Sequence, residues 1–440
     1  MAGWENADWE SGVDSALPRR HRRTGQFRRY IPDLLEGHPL TLDNSLSLGV
    51  ADAERAVRAL SGPGGAALTA VSRFLLRSEA IASSLIEGVA PSPQQVALAE
   101  LGKHESVRGI SEQAQLVANN MTVVRRASTD LVDADLVTVE HIVGLHAALL
   151  PDHPRHHGLR TVQNLIGGSQ WHPLDADFVP PEQGRVPALM QDLAAYINGA
   201  GHSPIVQAAL VHAQFETIHP FTDGNGRVGR ALIHTVLTRR GLTPTAVLPV
   251  SLVLATLRDT YVAGLVDYRY DGGAAGEAAR VGVGAWIETF SRAALLAAEQ
   301  STSLVSQLTI LEEEWRDRVA AYRSSRGIRE TPRADSATAR MLTLLPEAPV
   351  VTTGTVQRIL RVSFPAAASA LEELQQAGIL QGRPIERGAT AYMSREVLDL
   401  ITVTERRLAS TQCDTRASQP NRPVPAPSVK TRTREESRLE

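Results

Sequence analysis

One segment of the chain, His219 to Arg230, concentrates side chains whose types and spacing could carry out chemistry. It reads His-Pro-Phe-Thr-Asp-Gly-Asn-Gly-Arg-Val-Gly-Arg. Helical periodicity on both sides makes Gly224–Gly226 the loop between two helices and places the glycine amides at the start of the second one. Such amides, with the first-turn N–H groups of a helix, form an anion-binding nest. The segment therefore predicts an anion site at this helix start.

Charged and basic side chains surround the predicted nest. Arg227 and Arg230 are three residues apart, so both lie near it and can hold phosphate oxygens. Asp223 offers a carboxylate to a divalent cation shared with those phosphates, and His219 is a base that is neutral at physiological pH. Together they predict a phosphoanhydride site with its own base and metal ligand. The chain has no Gly-x-x-x-x-Gly-Lys-Ser/Thr sequence, which excludes a Walker nucleotide site.

The same segment resembles the signature of the Fic family, His-x-Phe-x-Asp/Glu-Gly-Asn-Gly-Arg-x-x-Arg, at every specified position. The resemblance implies transfer of AMP from ATP to a Ser, Thr or Tyr hydroxyl of a protein, with release of pyrophosphate. It implies that His219 deprotonates the hydroxyl, that Asp223 holds Mg²⁺ and that Phe221 packs inward. Arg230 would take the γ-phosphate. The nucleotide-binding residues that it implies in this segment are Gly224, Asn225, Gly226, Arg227, Val228, Gly229 and Arg230.

A second segment, Ser83-Ser84-Leu85-Ile86-Glu87-Gly88, resembles the inhibitory motif of the same family, Ser/Thr-x-x-x-Glu-Gly/Asn. Ser83 and Glu87 are four apart and share a helix face, and Gly88 ends the helix. The resemblance implies that Glu87 pairs with Arg230 and occupies the place that a γ-phosphate needs. The alternative, an ordinary capped amphipathic helix, is disfavoured beside the Fic signature.

Two further features extend the likeness. Leu159–Val179 alternates, turns on Gly167-Gly168 and predicts a β-hairpin. It resembles the family's flap, which implies that Asn164, Leu165, Ile166 and Gly167 border the nucleotide and the target segment. Leu257-Arg258-Asp259-Thr260-Tyr261 resembles the segment whose tyrosine lines the adenine pocket, although Val262 stands where a second aromatic residue is usual. A ligand-free hairpin and a core tyrosine are the structural alternatives.

The elements that must position these residues are mostly helices, as apolar periodicity from about residue 51 to 330 indicates. The fold class that we predict is all-α, a Fic helical bundle with a β-hairpin flap and a C-terminal winged-helix-like α+β domain. The predicted helices are Ala51–Leu60, Ala67–Gly88, Ser106–Ala127, Thr138–Leu150, Glu182–Ile197, Pro204–Ile218, Arg227–Arg240, Leu252–Val266 and Ala278–Arg323.

The C-terminal part changes pattern to three helices and two extended runs, which resembles a winged helix. Its third helix, Phe364–Ala377, carries Glu372 and Glu373 and no Lys or Arg. A groove-reading helix is expected to be basic. We therefore favour a protein-interaction or dimerisation module over DNA binding, which stays open.

These patterns divide the chain into consecutive regions with different roles. They are a polar and irregular N-terminal arm (1–45), a helical region with the inhibitory helix (46–130), the Fic catalytic core (131–300), a helix and linker (301–335), the winged-helix-like domain (336–402) and a disordered tail (403–440).

Composition narrows the class of protein. The 440 residues hold 45 basic and 48 acidic side chains, a net charge of −3. This small net charge does not indicate a nucleic acid or a membrane surface as a partner. Cys413 is the one cysteine, which excludes an internal disulfide and favours a reducing compartment. With no membrane-length apolar run and no signal peptide, we expect a cytoplasmic protein.

The sequence thus predicts a protein adenylyltransferase that uses ATP and Mg²⁺, acts on a protein target and not at a membrane, and is autoinhibited by Glu87 against Arg230. Two alternatives stay open. One is a phosphotransferase of the Doc-like branch, which has Lys where this chain has Gly226. The other is a regulator that senses nucleotide and acts through the winged helix. A homodimer is left open as well.

Overall fold

The computed structural model describes residues 1–12, 18–60, 71–169, 171–244, 246–386 and 388–412. Helices dominate these residues, as predicted. The helices of the first three hundred residues are α1 (Asn44–Leu60), α2 (Ser72–Ile86), α3 (Pro93–Gly102), α4 (Glu112–Ser128), α5 (Asp130–Asp133), α6 (Val139–Leu149), α7 (Val186–Asn198), α8 (Pro204–Ile218), α9 (Asn225–Arg239), α10 (Val250–Thr256) and α11 (Arg258–Asp267).

The remaining helices are α12 (Glu277–Ser325), α13 (Ala337–Leu344), α14 (Thr353–Leu360), α15 (Phe364–Gln376) and α16 (Arg395–Gln412). The helices differ from the prediction in several places, and the short α5 and the C-terminal α16 are unpredicted. The predicted helix Leu252–Val266 is two helices that meet at Leu257, and the capping box of Ser92 with Gln95 starts the unpredicted α3.

Helices α8 and α9 form the centre of the larger hydrophobic core. Ser203 precedes Pro204 at the start of α8, an arrangement that favours a helix start. Every residue of α8 is buried, because α7, α9 and the first half of α12 cover it on different sides. The segment His219–Arg230 forms the loop between α8 and α9 and the first turns of α9, so two buried helices position it.

The N-terminal arm is not irregular. Strands β1 (Gly3–Trp9) and β2 (Gly25–Ile31) pair antiparallel, with Gly3 opposite Ile31 and Trp9 opposite Gly25. Buried Tyr30 donates its backbone N–H to Val179 O at 3.0 Å, which ties the sheet to the predicted flap. The prediction of irregular structure is therefore wrong for these two strands.

The predicted flap keeps its turn but not its strands. Gly167 and Gly168 have left-handed φ angles of 70° and 62°, and within the described residues the two arms pair at one bridge, between Ile166 and Phe178. Residue 170 lies outside the described residues. Side-chain bonds to backbone carbonyls, described below, hold the first arm in place of a ladder.

The C-terminal part contains the three helices and two strands that the sequence predicts, α13 to α15 with β4 (Gln381–Glu386) and β5 (Ala389–Met393). A short strand β3 (Val350–Val351) joins them, in the sheet order β3-β5-β4. Helix α16 follows and continues to Gln412, so residues 403–412 are helical and not the start of a disordered tail. Burial of Val397, Leu398 and Ile401 anchors the start of this helix. The rest of the predicted tail, 413–440, lies outside the described residues.

Helix α12 runs without a break for 49 residues and belongs to both parts of the molecule. Its first half packs in the larger core, where Trp286 donates to Ala209 O at 2.8 Å. Its second half shares a core with the C-terminal part, where Trp315 donates to the Glu396 carboxylate at 2.7 Å. Within the described residues, no helix is both long and apolar enough to cross a membrane.

Candidate active site

Two left-handed residues shape the loop between α8 and α9. His219 ends α8 with φ 50° and ψ 62°, and its N–H donates to Phe215 O at 2.9 Å. Gly224 precedes α9 with φ 77°. A non-glycine residue with this backbone is uncommon and is kept only where its surroundings enforce it. The left-handed backbone at His219 ends α8 and begins the loop that leads to α9.

Side chains that bond backbone groups fix this loop. Asn225 accepts from the Phe221 N–H at 2.8 Å and donates to Phe221 O at 2.7 Å. Asn164 donates to Phe221 O at 2.7 Å, and Arg160 donates to His219 O at 2.9 Å. Phe221 itself is fully buried, as the sequence predicts, and stacks on His146 at 4.0 Å between ring centroids. The loop is thus pre-ordered without a ligand.

The predicted contact between Glu87 and Arg230 is present. The Arg230 guanidinium, 1% exposed, donates to the Glu87 carboxylate at 2.8 Å, to the Ser83 hydroxyl at 2.9 Å and to Ser83 O at 2.7 Å. Gly88, with φ 78°, follows α2 and lets the chain turn away after Glu87. Ser83 and Glu87 therefore reach the same guanidinium from one helix face.

Glu87 also reaches the predicted nest. A Cβ placed on Gly226 would clash with Oε1 of Glu87, so this carboxylate lies directly against the first turn of α9. A helix start favours negative charge. The Glu87 carboxylate therefore occupies the anion position that the sequence predicts for a phosphate group.

Arg227 has hydrogen-bond donors beside the same nest. Its side chain is 6% exposed, its Nη2 lies 3.5 Å from the Asp223 carboxylate, and its Nε and Nη1 have no hydrogen-bond partner among the described residues. Buried guanidinium donors are normally satisfied. An anion bound at the nest would satisfy them.

The electrostatics of the site favour a neutral His219 imidazole and an ionised Glu87–Arg230 pair. Burial lowers the pKa of His219 to about 4, against a smaller opposing effect of the Glu216 backbone. Burial by itself raises the pKa of Glu87, but the Arg230 guanidinium outweighs it and holds that pKa below its ordinary value. Burial would likewise lower the pKa of Arg230, yet the Glu87 carboxylate raises it. At neutral pH the site holds neutral imidazole and an ionised Arg–Glu pair.

Asp223 fits a role as a single metal ligand. Its carboxylate is 56% exposed and accepts from the Gly224 N–H at 2.6 Å. The described residues contain no cluster of three or more His, Cys, Asp or Glu side chains that could hold a metal ion. Magnesium is commonly held by one or two carboxylates with substrate phosphates and water. Asp223 beside an anion nest suits this mode and not an all-protein cage.

The remaining predicted residues are placed differently. Tyr261 is buried, and its hydroxyl bonds His212 Nε2 at 2.9 Å, so it already has a partner in the core and its contact with adenine stays a prediction. Val228 and Gly229 are buried between α8 and α9. In the flap, Asn164 to Gly167 are half-buried or exposed, beside the His219 loop.

Sequence reasoning missed four residues that organise the site. Arg160 is 3% exposed and bonds backbone carbonyls of the loop and flap, and burial lowers its pKa to about 10. His146 bonds Asp223 O at 3.0 Å. Glu216 lies one turn and His212 two turns before His219, and this spacing was the one available signal. The contacts of Arg160 and His146 cross long stretches of chain and leave no local pattern.

Comparisons with known proteins agree with this geometry. A model of the Fic/DOC family matches residues 136–237. The protein adenylyltransferase Fic of Drosophila ananassae is 31% identical over 142 residues, which are 31% of this chain and 27% of that protein. The protein adenylyltransferase fic-1 of Caenorhabditis elegans is 29% identical over 140 residues, 31% of this chain and 26% of that protein. The match thus spans about a quarter of each relative's length.

A solved structure extends the likeness in fold. A Fic family protein from Desulfovibrio desulfuricans G20 superposes with a TM-score of 0.51 at 21% identity and covers 81% of this chain and 97% of that one. At this identity the likeness concerns the fold alone, and it includes most of the helices described above. Residues 136–237 therefore match the Fic/DOC family, and beyond them the likeness to a Fic family protein is one of fold.

Proposed function

We propose that this chain transfers AMP from ATP to a Ser, Thr or Tyr hydroxyl of a protein. The observation that carries the proposal is one loop in which a neutral imidazole, a helix-start nest and two arginines meet. The relatives named protein adenylyltransferase support the choice of reaction. The nest of Gly224–Gly226 and the free donors of Arg227 suit the phosphates of ATP.

The chemistry assigns the base to His219. Its Nδ1 is buried, so Nε2 is the nitrogen that can face a substrate. Nε2 takes the proton of the target hydroxyl while the hydroxyl oxygen forms a bond to the α-phosphorus. The bond from that phosphorus to the bridging oxygen breaks, and pyrophosphate leaves. Donors at the nest stabilise the negative charge that grows on the leaving group.

Asp223 would hold Mg²⁺, which when bound supplies Lewis-acid stabilisation of phosphate charge. The protein's own contribution there is one exposed carboxylate fixed by the Gly224 N–H. The loop Asn164–Gly167 lies beside His219 through the Asn164 contacts. It would border the target segment, because its backbone forms one bridge and leaves other groups to pair with an added strand.

Autoinhibition is the second part of the proposal. Glu87 engages Arg230 and lies against Gly226, where the γ-phosphate of ATP would bind in a productive pose. Two negative groups cannot share these donors, so ATP in that pose requires Glu87 to leave. The resting chain would therefore be mostly inactive.

The test of AMP transfer uses ATP labelled at the α- or the γ-phosphate, with the Glu87→Gly variant as enzyme. We expect α-label on the protein itself and an AMP mass increment by mass spectrometry. Adding His219→Ala should lower the rate by about 100- to 10,000-fold, because a positioned base contributes that much. ATP binding, measured by calorimetry, should persist.

His104→Ala is the matched control, since this histidine is exposed and lies outside the loop; its rate should not change. Transfer of γ-label without α-label would contradict the proposal and identify a phosphotransferase. A full rate in His219→Ala would contradict the assignment of the base.

A further inference from the structure

We infer that Glu216 is a positioning residue for His219, and that its carboxylate accepts the Nδ1–H of His219 while Nε2 takes up the proton of the target hydroxyl. This inference rests on the proposed function and adds a residue to it. Glu216 touches neither the nest nor the flap in any hydrogen bond of the described residues. It would act through the orientation and charge of the imidazole.

The geometry places three polar side chains on one stripe of α8. His212, Glu216 and His219 follow one another at intervals of four and three residues, which share a helix face. Oε2 of Glu216 lies 4.0 Å from His219 Nδ1, and Oε1 lies 4.0 Å from His212 Nδ1. A Cβ on Gly229 would stand 2.6 Å from Oε1, so the glycine of α9 provides the room for this carboxyl.

Three of these four atoms lack a hydrogen-bond partner among the described residues, and the fourth, Glu216 Oε2, is the one that lies nearest His219 Nδ1. Glu216 Oε1, His212 Nδ1 and His219 Nδ1 are buried, and none has a hydrogen-bond partner among the described residues. Buried polar atoms are rarely left so, and those that are often mark a functional site. Catalytic hydrogen bonds can be long in a resting enzyme and shorten in the reacting complex. A small rotation of either side chain would close the 4.0 Å gap to His219.

The second histidine is already committed elsewhere. His212 Nε2 bonds the Tyr261 hydroxyl at 2.9 Å, and the two rings stack with centroids 5.8 Å apart. Burial lowers the pKa of His212 to about 3, with Arg230 adding to the effect. His212 therefore stays neutral and does not compete as a cation for Glu216. His219 is the imidazole that becomes charged during the proposed reaction.

The charge of Glu216 depends on pH in the physiological range. Burial raises its pKa to about 7; Arg230 opposes this and Glu87 adds to it. The titratable and charged groups that face it are His212, His219, Arg230, Glu87, Arg269 and Tyr261. The carboxyl is thus ionised above about pH 7 and becomes neutral as the pH falls through that value.

An ionised Glu216 would favour the imidazolium form of His219 and hold its ring in one orientation. The proton from the target hydroxyl goes to Nε2, Nδ1 keeps its own proton, and Glu216 gains none. A protonated Glu216 offers less stabilisation to the imidazolium. The transfer rate should therefore fall with pH through the titration of Glu216, although His219 itself is still neutral there.

Nuclear magnetic resonance of ¹⁵N-histidine-labelled protein tests this without any activity. In the full-length wild type, the ring nitrogens of His219 should show one inflection near pH 7 between pH 8.5 and 5.5, assigned by its loss in His219→Gln. The inflection should vanish in Glu216→Gln. It should remain in Glu79→Gln, a matched loss of a buried carboxylate whose bonds go to Ser251 and His234.

An inflection that survives in Glu216→Gln belongs to the imidazole's own titration and overturns the inference. So does the absence of any inflection in the wild type, a measurement that needs no variant to fold. Either result leaves the proposed function intact.

Kinetics give the second readout, in the Glu87→Gly background. Adding Glu216→Gln should lower kcat at pH 8 by about a hundredfold, leave the KM for ATP unchanged, and flatten the rise of rate between pH 6 and 8. A raised KM with an unchanged pH profile would show a merely structural role. Absence of AMP transfer in every variant, with the inflection behaving as expected, would overturn the proposed function and leave the Glu216–His219 coupling established.

Discussion

At the scale of single residues, Arg230 carries the sharpest expectation. Its buried guanidinium has two bonds to Ser83 of α2 and one to the carboxylate of Glu87, the residue that follows α2. Charge-assisted hydrogen bonds contribute roughly 1.5–3 kcal/mol, and about 1.4 kcal/mol is a factor of ten. Glu87 is 38% exposed, so solvent weakens the pair. Glu87→Gly should raise self-modification by about 10- to 100-fold, measured as incorporation of α-label.

Two further variants separate the inhibitory contact of Arg230 with Glu87 from its proposed contact with phosphate. Ser83→Ala removes a single acceptor from Arg230 and should raise the rate by only about three- to tenfold. Arg230→Ala removes both the proposed γ-phosphate contact and the pair with Glu87, so it should not raise the rate. The double variant of Arg230→Ala with Glu87→Gly should behave like Arg230→Ala alone. Equal rates for wild type and Glu87→Gly at saturating Mg²⁺-ATP would contradict autoinhibition.

Lowering the pH from 8 to 6 should not break the Glu87–Arg230 pair. The pKa of Glu87 is depressed in the folded chain, where Arg230 prevails over the opposing effect of burial. A group with a depressed pKa contributes its stabilisation above its ordinary pKa and loses it only as pH falls through the folded value. Between pH 8 and 6 the Glu87–Arg230 pair therefore stays intact, and any pH response of the rate belongs to other groups.

The residues of the candidate site were predictable to different degrees. His219 to Arg230 is contiguous, and Ser83 and Glu87 share a helix face, so local spacing marks both segments. The resemblance to the Fic family, and not the spacing, implies that Glu87 pairs with Arg230. Arg160 acts on His219 O from 59 residues away. Such a contact arises from the tertiary fold and leaves no trace in the neighbouring sequence.

At the scale of elements, the start of α2 depends on the C-terminal part. The Glu347 carboxylate accepts from the Arg73 N–H at 3.2 Å and from the Ser72 hydroxyl at 3.3 Å. Capping contacts of this kind contribute about 1 kcal/mol. Since Ser83 and Glu87 lie on the same helix, Glu347→Ala should lower the melting temperature and raise self-modification severalfold.

Glu330→Ala is the control for that experiment, because Glu330 is an exposed acidic residue before α13. Neither its melting temperature nor its rate should change. An unchanged rate in a destabilised Glu347→Ala would show that α2 keeps its register without this contact.

The N-terminal arm and the flap differ in detail from their predictions for related reasons. The sequence of the N-terminal arm is polar, yet its strands pair with each other, and Tyr30 bonds Val179 O far along the chain. The flap alternates like a hairpin, yet Arg160 and Asn164 direct its first arm to the carbonyls of the His219 loop. Strand formation depends on such distant partners, whereas the periodicity that predicts a helix lies within one short stretch of sequence.

At the scale of the whole molecule, the C-terminal part is less separate from the rest of the chain than the sequence suggests. The core that joins α2 and α4 to the second half of α12 also contains Met341, Leu342, Leu371 and Val397 of the C-terminal part. Every proposed site residue lies before Ser336, so the catalytic residues themselves survive a truncation there. Such a truncation would nevertheless expose the core that supports α2.

We expect the two parts to unfold together. Differential scanning calorimetry of the full chain should show one cooperative transition, because a shared helix and a shared core couple the two halves. A truncation before Ser336 should melt at a lower temperature than the full chain. Two well-separated transitions, with the first half melting at the same temperature in both proteins, would contradict this coupling.

The unbroken α12 also fixes the rotational phase between the two ends of the protein. Each residue of an α-helix advances 1.5 Å and turns about 100°. A one-residue insertion near the middle of α12 would swing the C-terminal part about 100° around the helix axis and away from Glu347's contacts with α2. Seven residues, close to two full turns, would nearly restore the angle but displace that part by about 10 Å. A flexible linker tolerates such length changes, whereas this helix makes its own length a determinant of the assembly.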